Sequence, residues 1–362
     1  MLLQGVFAAI TTPFYSNESV YLRKLEANVA RYSRSLLSGL LVLGSTGECV
    51  LLDEAESRDV LRVTSETAAP DKVLIAGVGQ QSLKATVEMS EVAARYQYDV
   101  VLVRTPTFYR TQMSPSAVMN YFRSVADRSP LPVLLYNIPS CVHYDLPVEL
   151  IAELAQHPNI IGVKDSSGNL DRLTATVEAT RSAPMRTVAV TPVFEAFTTR
   201  MASPERGGAD ARATEALVSI GNLSRVPAVG LAPQHTADKA STAVKIRSKE
   251  VGFQVLTGST WNLLPALEAG ATGAVLGSAS FIPQALTEIY LAWKEHDLKL
   301  AAEKQERVVA VGQRIPAELG IPAIKYACDF NGYYGGFPRA PLLPVPAEQR
   351  VEIEELLRNI RN

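Results

Sequence analysis

The chain has 362 residues, with 35 Lys+Arg against 37 Asp+Glu and a formal net charge of −2. Its 47% hydrophobic and 20% charged residues exclude a globally disordered chain, and the charge balance supplies neither the basic footprint of a nucleic-acid binder nor a polybasic membrane patch. At roughly 150 residues per domain the length fits about two domains, or one α/β barrel of ~250 residues with additions.

The three cysteines, Cys49, Cys141 and Cys328, are odd in number, far apart and in no CxxC pair, which predicts a reducing compartment and no thiolate zinc site. His143, His157, His235 and His296 show no ligand spacing, so no metal is expected. The opening MLLQGVFAAITTPF lacks a basic n-region, and no run approaches ~18 apolar residues. A cytoplasmic protein without a membrane partner is expected.

Short Val, Ile and Leu runs alternate with stretches of helical period, the pattern of parallel βα units. Strands are predicted at 5–12, 39–44, 72–78, 99–105, 132–138, 160–165, 253–258 and 273–278. Between them, Asp53 with Glu56 forms a capping-box pair, Ser82 precedes a periodic run, Ser114 and Pro115 pair an N-cap with an N1 proline, and a helix begins near Asn169. Eight such strands predict a (β/α)8 TIM barrel over 1–281, with an open doubly wound sheet as the alternative architecture.

Residues 183–249 are far too long for an αβ loop. The segment holds no Tyr or Trp and only Phe194 and Phe197 as aromatics. It reads as an insertion between helix 6 and strand 7, emerging at the N-terminal face of the barrel with no catalytic role. A disordered excursion, a small ordered subdomain and an artefact of the gene model are the three readings left open. A C-terminal helical region, 282–362, continues with helical period over 282–317 and ends in an amphipathic helix at 346–361. Leu291, Trp293 and Val308 are expected to pack against the barrel or a partner subunit.

Barrel enzymes carry their chemistry at the carboxyl ends of strands. The second strand ends in GSTGE, Gly44 to Glu48, whose glycines permit a tight turn with backbone N–H groups forming a small anion nest; an ordinary strand-to-helix turn reads equally well. The sixth strand reads IIGVKDSSG. Lys164 inside so apolar a run is expected to have a depressed pKa and to attack a ketone as a neutral amine, unless it sits at the strand end paired with Asp165 or solvent. Tyr136, in LLYNIP, is placed at the same mouth, as a proton carrier or as a packing residue. Tyr109, in TPTFYR, reads as a site residue, a subunit contact or a surface residue.

In this order and at these strand ends, GSTGE, YNIP and GVKDSSG resemble the dihydrodipicolinate synthase/N-acetylneuraminate lyase family of pyruvate-dependent class I aldolases. FYRTQMS, VADRSPLPVLLYNIP, DLPVELIAELAQHPNIIGVKDSSG, GFQVLTGS, NGYYGG and RAPL are most similar to the 4-hydroxy-2-oxoglutarate aldolases within it. The similarity covers roughly residues 5–182 and 250–345. It implies that Lys164 forms an imine with the keto carbon and that Tyr136 moves protons during cleavage. Ser45 and Thr46 would hold the pyruvate carboxylate, with Thr46 linked to the tyrosine relay. Tyr109 would be lent to a neighbouring subunit of a homotetramer, a dimer of dimers, and Gly258 would line the keto-acid pocket. No cofactor is implied, since the iminium itself stabilises the carbanion as an enamine.

One departure concerns the second substrate. Family synthases carry an arginine two residues after the proline of YNxP; here that residue is Cys141, a thiol that cannot replace a bidentate guanidinium. The threonine-glycine usual in the hydroxy-oxoglutarate aldolases is Val142 and His143. Cys141 and His143 therefore remain candidates for the aldehyde side. The expected activity is carbon–carbon cleavage of a 2-keto-4-hydroxy acid, best 4-hydroxy-2-oxoglutarate to pyruvate and glyoxylate. A 2-keto-3-deoxy sugar-acid aldolase or dehydratase, a dihydrodipicolinate synthase-like enzyme and a catalytically silent keto-acid-binding protein are the alternatives.

Overall fold

Eight short strands with apolar residues on both faces can be satisfied only where both faces are covered, and here they close on themselves with helices outside. The computed structural model describes residues 1–193, 195–203 and 246–360. The barrel strands are β1 (Gly5–Ala9), β2 (Gly39–Val42), β3 (Val73–Gly77), β4 (Val100–Arg104), β5 (Val133–Asn137), β6 (Ile160–Asp165), β9 (Gln254–Thr257) and β10 (Gly273–Leu276), all parallel, with β10 pairing back onto β1. Each lies within a predicted run, so the (β/α)8 barrel holds and the open sheet does not.

Alternation divides the apolar residues. Phe7, Leu41, Ile75, Leu102, Leu134 and Leu256 fill the barrel interior, while Val6, Leu40, Leu74, Val101, Val133 and Val163 face the surrounding helices. The predicted helix starts carry the expected caps. Asp53 and Glu56 close a reciprocal capping box on α2 (Glu54–Thr67), Ser82 caps α3 (Leu83–Arg95), and Ser114 with Pro115 opens α4 (Pro115–Arg128). Asn169 caps α7 (Leu170–Ala179). Each such side chain satisfies a backbone N–H that the helix start leaves unpaired.

The chain between β6 and β9 contains structure that the alternation did not predict. β7 (Arg186–Val190) and β8 (Arg247–Val251) pair as an antiparallel ribbon, and Val188, Val190 and Val251 bury a small cluster with Leu2. A one-turn helix, Thr199–Ala202, follows. Arg200, fully enclosed, donates to the Ala68 and Lys72 carbonyls, Thr198 Oγ1 donates to Pro70 O, and Asp99 accepts from the Thr199 N–H at 2.6 Å. These contacts lie where β3 and β4 begin, at the N-terminal face. The remainder of the 183–249 segment, 204–245 and Phe194, lies outside the described residues.

After the barrel, the predicted 282–317 helical stretch divides into α10 (Pro283–Lys294) and α11 (Leu298–Gly312), which runs on into a wider π-type segment at Gln313–Leu319 containing Pro316. Proline removes a backbone donor and crowds the preceding turn, consistent with the altered winding. Val308 is buried, and Leu291 and Trp293 are partly so. α12 (Ile321–Phe330) and α13 (Ala347–Leu357) complete the C-terminal region. No helix among the described residues is long and apolar enough to cross a membrane.

Gly162 sets the spacing of the barrel at β6. A Cβ there would stand 2.2 Å from the Gln254 carbonyl oxygen of β9, so Gly162→Ala must push two hydrogen-bonded strands apart. Overpacking of this kind costs about 1–3 kcal/mol, and a lowered thermal denaturation midpoint followed by circular dichroism is the expected result.

Candidate active site

Strict alternation along β6 would turn Lys164 outward, into the helix layer. A one-residue irregularity intervenes: Val133 pairs with Ile160 and the next residue, Leu134, with Gly162, leaving Ile161 extra. Such a bulge reverses the facing of every later residue. Val163 now packs outward, and Lys164 falls in register with Tyr136 of β5, which is in register with Arg104 of β4. One inward-facing row at the carboxyl ends of three adjacent strands thus holds a guanidinium, a phenol and an amine.

Lys164 and Tyr136 are each only 4% exposed. Lys164 Nζ donates to the Tyr136 hydroxyl at 3.1 Å, and that hydroxyl shares a 3.2 Å hydrogen bond with Ser45 Oγ. The same nitrogen lies 4.3 Å from the Tyr136 ring centroid. The carboxylate next in sequence is engaged elsewhere. Asp165, on the opposite face of the strand, pairs with Arg172 at 3.1 Å and accepts from Asn137 Nδ2 and the Ser167 N–H. Among the described residues Lys164 has no ion-pair partner, so a lysine–aspartate pair within this strand is not formed.

Tyr136 and Ser45 open onto a cleft of about 290 Å³, lined also by Cys141, Glu48, Arg104 and Gln81. Its apolar walls include Leu102, Ile138 and, from the C-terminal region, Ile321 and Leu342. Gln81 ties two of the rim loops together: its Oε1 accepts from the Thr107 and Phe108 N–H groups at 2.9 and 3.1 Å, and its Nε2 donates to Thr107 Oγ1.

The residues singled out from the sequence separate into two groups. Lys164, Tyr136 and Ser45 form one hydrogen-bonded chain, and Cys141 lies on the cleft wall with its thiol side exposed. Thr46 is buried beside them, packed near Gly277, but the hydroxyl bonded to Tyr136 is that of Ser45, not Thr46. Tyr109 is 67% exposed, edge-on to Phe108, and away from this chain's own cleft. His143 is exposed at the end of a short helix, in a left-handed conformation, and does not line the cleft. Gly258 also lies off the cleft wall. Its N–H donates to the Asp165 carbonyl at 2.6 Å, and a Cβ would collide with the Ser166 side chain at 2.0 Å, so glycine there makes room for Ser166.

The sequence reading missed Arg104 and the pair that fastens the mouth. Glu48, ending GSTGE in a left-handed conformation, forms an enclosed ion pair with Lys325 of α12, their side chains 0% and 1% exposed. Lys325 Nζ also donates to Phe337 O at 2.7 Å, and Glu48 accepts from the Arg339 N–H at 2.8 Å. Burial pulls the Lys325 ammonium below its usual pKa, opposed chiefly by the Glu48 charge. Arg339 in turn clasps the Glu56 carboxylate and the Leu51 carbonyl. Short-range patterns could not reveal contacts between residues about 280 positions apart; the one signal was two charged residues in otherwise uncharged surroundings, in GSTGECV and IPAIKYAC.

A sequence profile described as the dihydrodipicolinate synthetase family matches residues 2–185 and 204–360, and the chain belongs to that family. It is 28% identical to the L-threo-3-deoxy-hexylosonate aldolase of Aspergillus niger, over 99% of this chain and 95% of that protein. It is 27% identical to a protein of Emericella nidulans named "Probable 4-hydroxy-2-oxoglutarate aldolase, mitochondrial", over 98% and 94%. The fold matches the chloride-inhibited dihydrodipicolinate synthase from Acinetobacter baumannii complexed with pyruvate, with a TM-score of 0.75, 20% identity and 99% and 98% of the two chains covered. At that identity the structural likeness establishes the fold.

Two outcomes follow for the mouth. Glu48→Gln leaves the Lys325 ammonium buried without its counter-charge, a change that costs about 3–5 kcal/mol, whereas Glu48→Leu with Lys325→Met is expected to recover much of it; chemical denaturation of the parent and the two variants reads the difference. The Arg339 hydrogen bond holds the Glu56 carboxyl below its ordinary pKa, with burial opposing. A depressed carboxylate stabilises the fold above its unfolded pKa of about 4.3 and loses that contribution as pH falls through the folded value. Glu56→Gln is therefore expected to denature earlier than the parent at pH 7, with the gap closing as the buffer is taken below about pH 4.

Proposed function

We propose that this protein is a Schiff-base-forming class I aldolase that cleaves a 2-keto-4-hydroxy acid to pyruvate and an aldehyde. The single observation that carries the reading is the Lys164 amine, 4% exposed at a strand end, hydrogen-bonded to a phenol and lacking a carboxylate partner among the described residues. Such an amine, once uncharged, adds to the C2 carbonyl and expels water to form an iminium. A base then removes the proton of the C4 hydroxyl, the C3–C4 bond breaks, the aldehyde leaves, and the electron pair moves into the iminium as an enamine. Protonation at C3 and hydrolysis return pyruvate and the free lysine. Tyr136, within reach of both Lys164 and Ser45, is the group that carries those protons. Ser45 and Thr46, at the turn after β2, would face the C1 carboxylate, and the reaction so written draws on no cofactor.

Within this class 4-hydroxy-2-oxoglutarate, giving pyruvate and glyoxylate, is the preferred substrate. The relative from Emericella nidulans supports it by name. The relative from Aspergillus niger supports a second reading, a 2-keto-3-deoxy sugar acid cleaved by the same lysine and tyrosine. Dihydrodipicolinate synthesis is less well served, because Cys141 presents a thiol rather than a guanidinium to the cleft. The adjacent exposed aromatics Phe108 and Tyr109, 78% and 67% exposed, suit the contact of a homotetramer in which Tyr109 reaches a neighbour's site. The cytoplasm is the compartment we infer.

Borohydride reduction in the presence of pyruvate is expected to leave an adduct on Lys164, located by peptide mass spectrometry and lost in Lys164→Ala. A protein that binds keto acids without catalysis would give no adduct, and that result would remove the proposal. Tyr136→Phe is expected to lower kcat by about 10²-fold or more, and pyruvate release from a panel of 2-keto-4-hydroxy acids ranks the two substrate readings.

A further inference from the structure

Arg104 has no place in the cleavage chemistry, yet it is the third member of the inward row. Its Cα is in register with Tyr136, as that of Tyr136 is with Lys164. It borders the same cleft as Tyr136, Ser45 and Cys141. Gly79 leaves room for it, since a Cβ at that position would stand 2.9 Å from Arg104 Cγ and 2.7 Å from its backbone nitrogen. The guanidinium is steered by one hydrogen bond, from Nη1 to the Gly79 carbonyl at 2.7 Å. A guanidinium has five N–H donors in a planar fork, so most of them remain to be used.

The carboxylates that could neutralise Arg104 are otherwise engaged. Glu48, in the same cleft, is bound to Lys325 and the Arg339 N–H. Asp53, Glu54 and Glu88 border the depression on the other side of Arg104. Asp53 is committed to the α2 capping box, Glu54 pairs with Arg58, and Glu88 with Lys84. No ion pair among the described residues includes Arg104. A half-buried cation without a counter-charge, at one end of a cleft with largely apolar walls, is a receptor for an anion, and its flat fork suits a carboxylate held by two parallel hydrogen bonds. The position is two strands away from Lys164 along the row, on the side of Tyr136 opposite the amine. A keto acid joined to Lys164 through C2 and extended past Tyr136 would deliver its far end to Arg104.

We propose that Arg104 binds the distal carboxylate of a dicarboxylic 2-oxo acid, making it the residue that selects an aldehyde product bearing an acid group. This deepens and rests on the aldolase reading above. It places the second anion site on β4, since Cys141, in the short helix after β5, has no guanidinium to offer.

The test uses two acids of equal chain length, 2-oxoglutarate and 2-oxopentanoate, which differ in a terminal carboxylate against a terminal methyl. Each is trapped on the full-length protein with borohydride, and the concentration giving half-maximal adduct is measured. The wild-type protein is expected to prefer the diacid by tenfold or more, and Arg104→Gln and Arg104→Met to reduce that preference below threefold. A wild-type preference under tenfold, or one of threefold or more surviving in a folded variant, overturns the assignment. The wild-type arm decides alone where the variants do not fold. Pyruvate trapping on the same wild-type sample separates the two ideas: its failure removes the aldolase reading itself, whereas pyruvate adduct without a diacid preference removes only the role of Arg104.

Discussion

An amine enclosed in a barrel is costly unless something compensates it, and the site is organised around how Lys164 is compensated. It receives a phenol at 3.1 Å and a ring face at 4.3 Å rather than a carboxylate. The neighbouring acid, Asp165, could have neutralised it, but Arg172 holds that carboxylate on the outer side of the strand together with Asn137. The pairing has a chemical consequence. A lysine locked to a carboxylate must break an ion pair before it can act as a nucleophile, whereas one held by a hydroxyl need not. The outer Asp165–Arg172 contact therefore bears on the inner site by occupying the nearest competitor.

Around that centre the molecule keeps its two ends distinct. At the carboxyl ends of the strands, residues from the C-terminal region bound the cleft, fastened by Glu48 to Lys325 and by Glu56 to Arg339. These pairs join the turn after β2 and the helix that follows it to α12 and the segment after it. The turn carrying Ser45 is thereby braced from outside the barrel. At the opposite end, the described part of the 183–249 segment is pinned by Arg200, Thr198 and Asp99. Its bonds go to the starts of β3 and β4 and, through Arg186, to the chain entering β6, so the barrel itself separates it from Lys164.

Much of the barrel was legible because its signals are local. Eight β-rich runs, a capping box at Asp53 and Glu56, and the Ser114-Pro115 pair each report on a few consecutive residues, and each found its element. The β7–β8 ribbon escaped notice because it is a pairing across more than 50 positions, and its strands RTVAV and RSKEV carry polar residues on an exposed face. The π-type winding after α11 was also unread, since Pro316 alone predicts an interruption and not its geometry.

What the amino-acid sequence determined by itself was the order of strands and helices, the family resemblance in GSTGE, YNIP and GVKDSSG, and the candidacy of Lys164, Tyr136 and Ser45. Period and capping express the steric and hydrogen-bonding demands of neighbouring residues, and those demands are met wherever the chain folds. Tertiary structure alone decided which way Lys164 faces, because a bulge opposite β5 reversed the alternation that its own strand would have followed. It decided likewise that Ser45 rather than Thr46 bonds to the phenol, that Glu48 meets a lysine of α12, and that Arg104 joins the same row with no ion-pair partner among the described residues. Each of those outcomes depends on which distant strand or helix arrives beside a residue, and closure of the barrel is what brings them together.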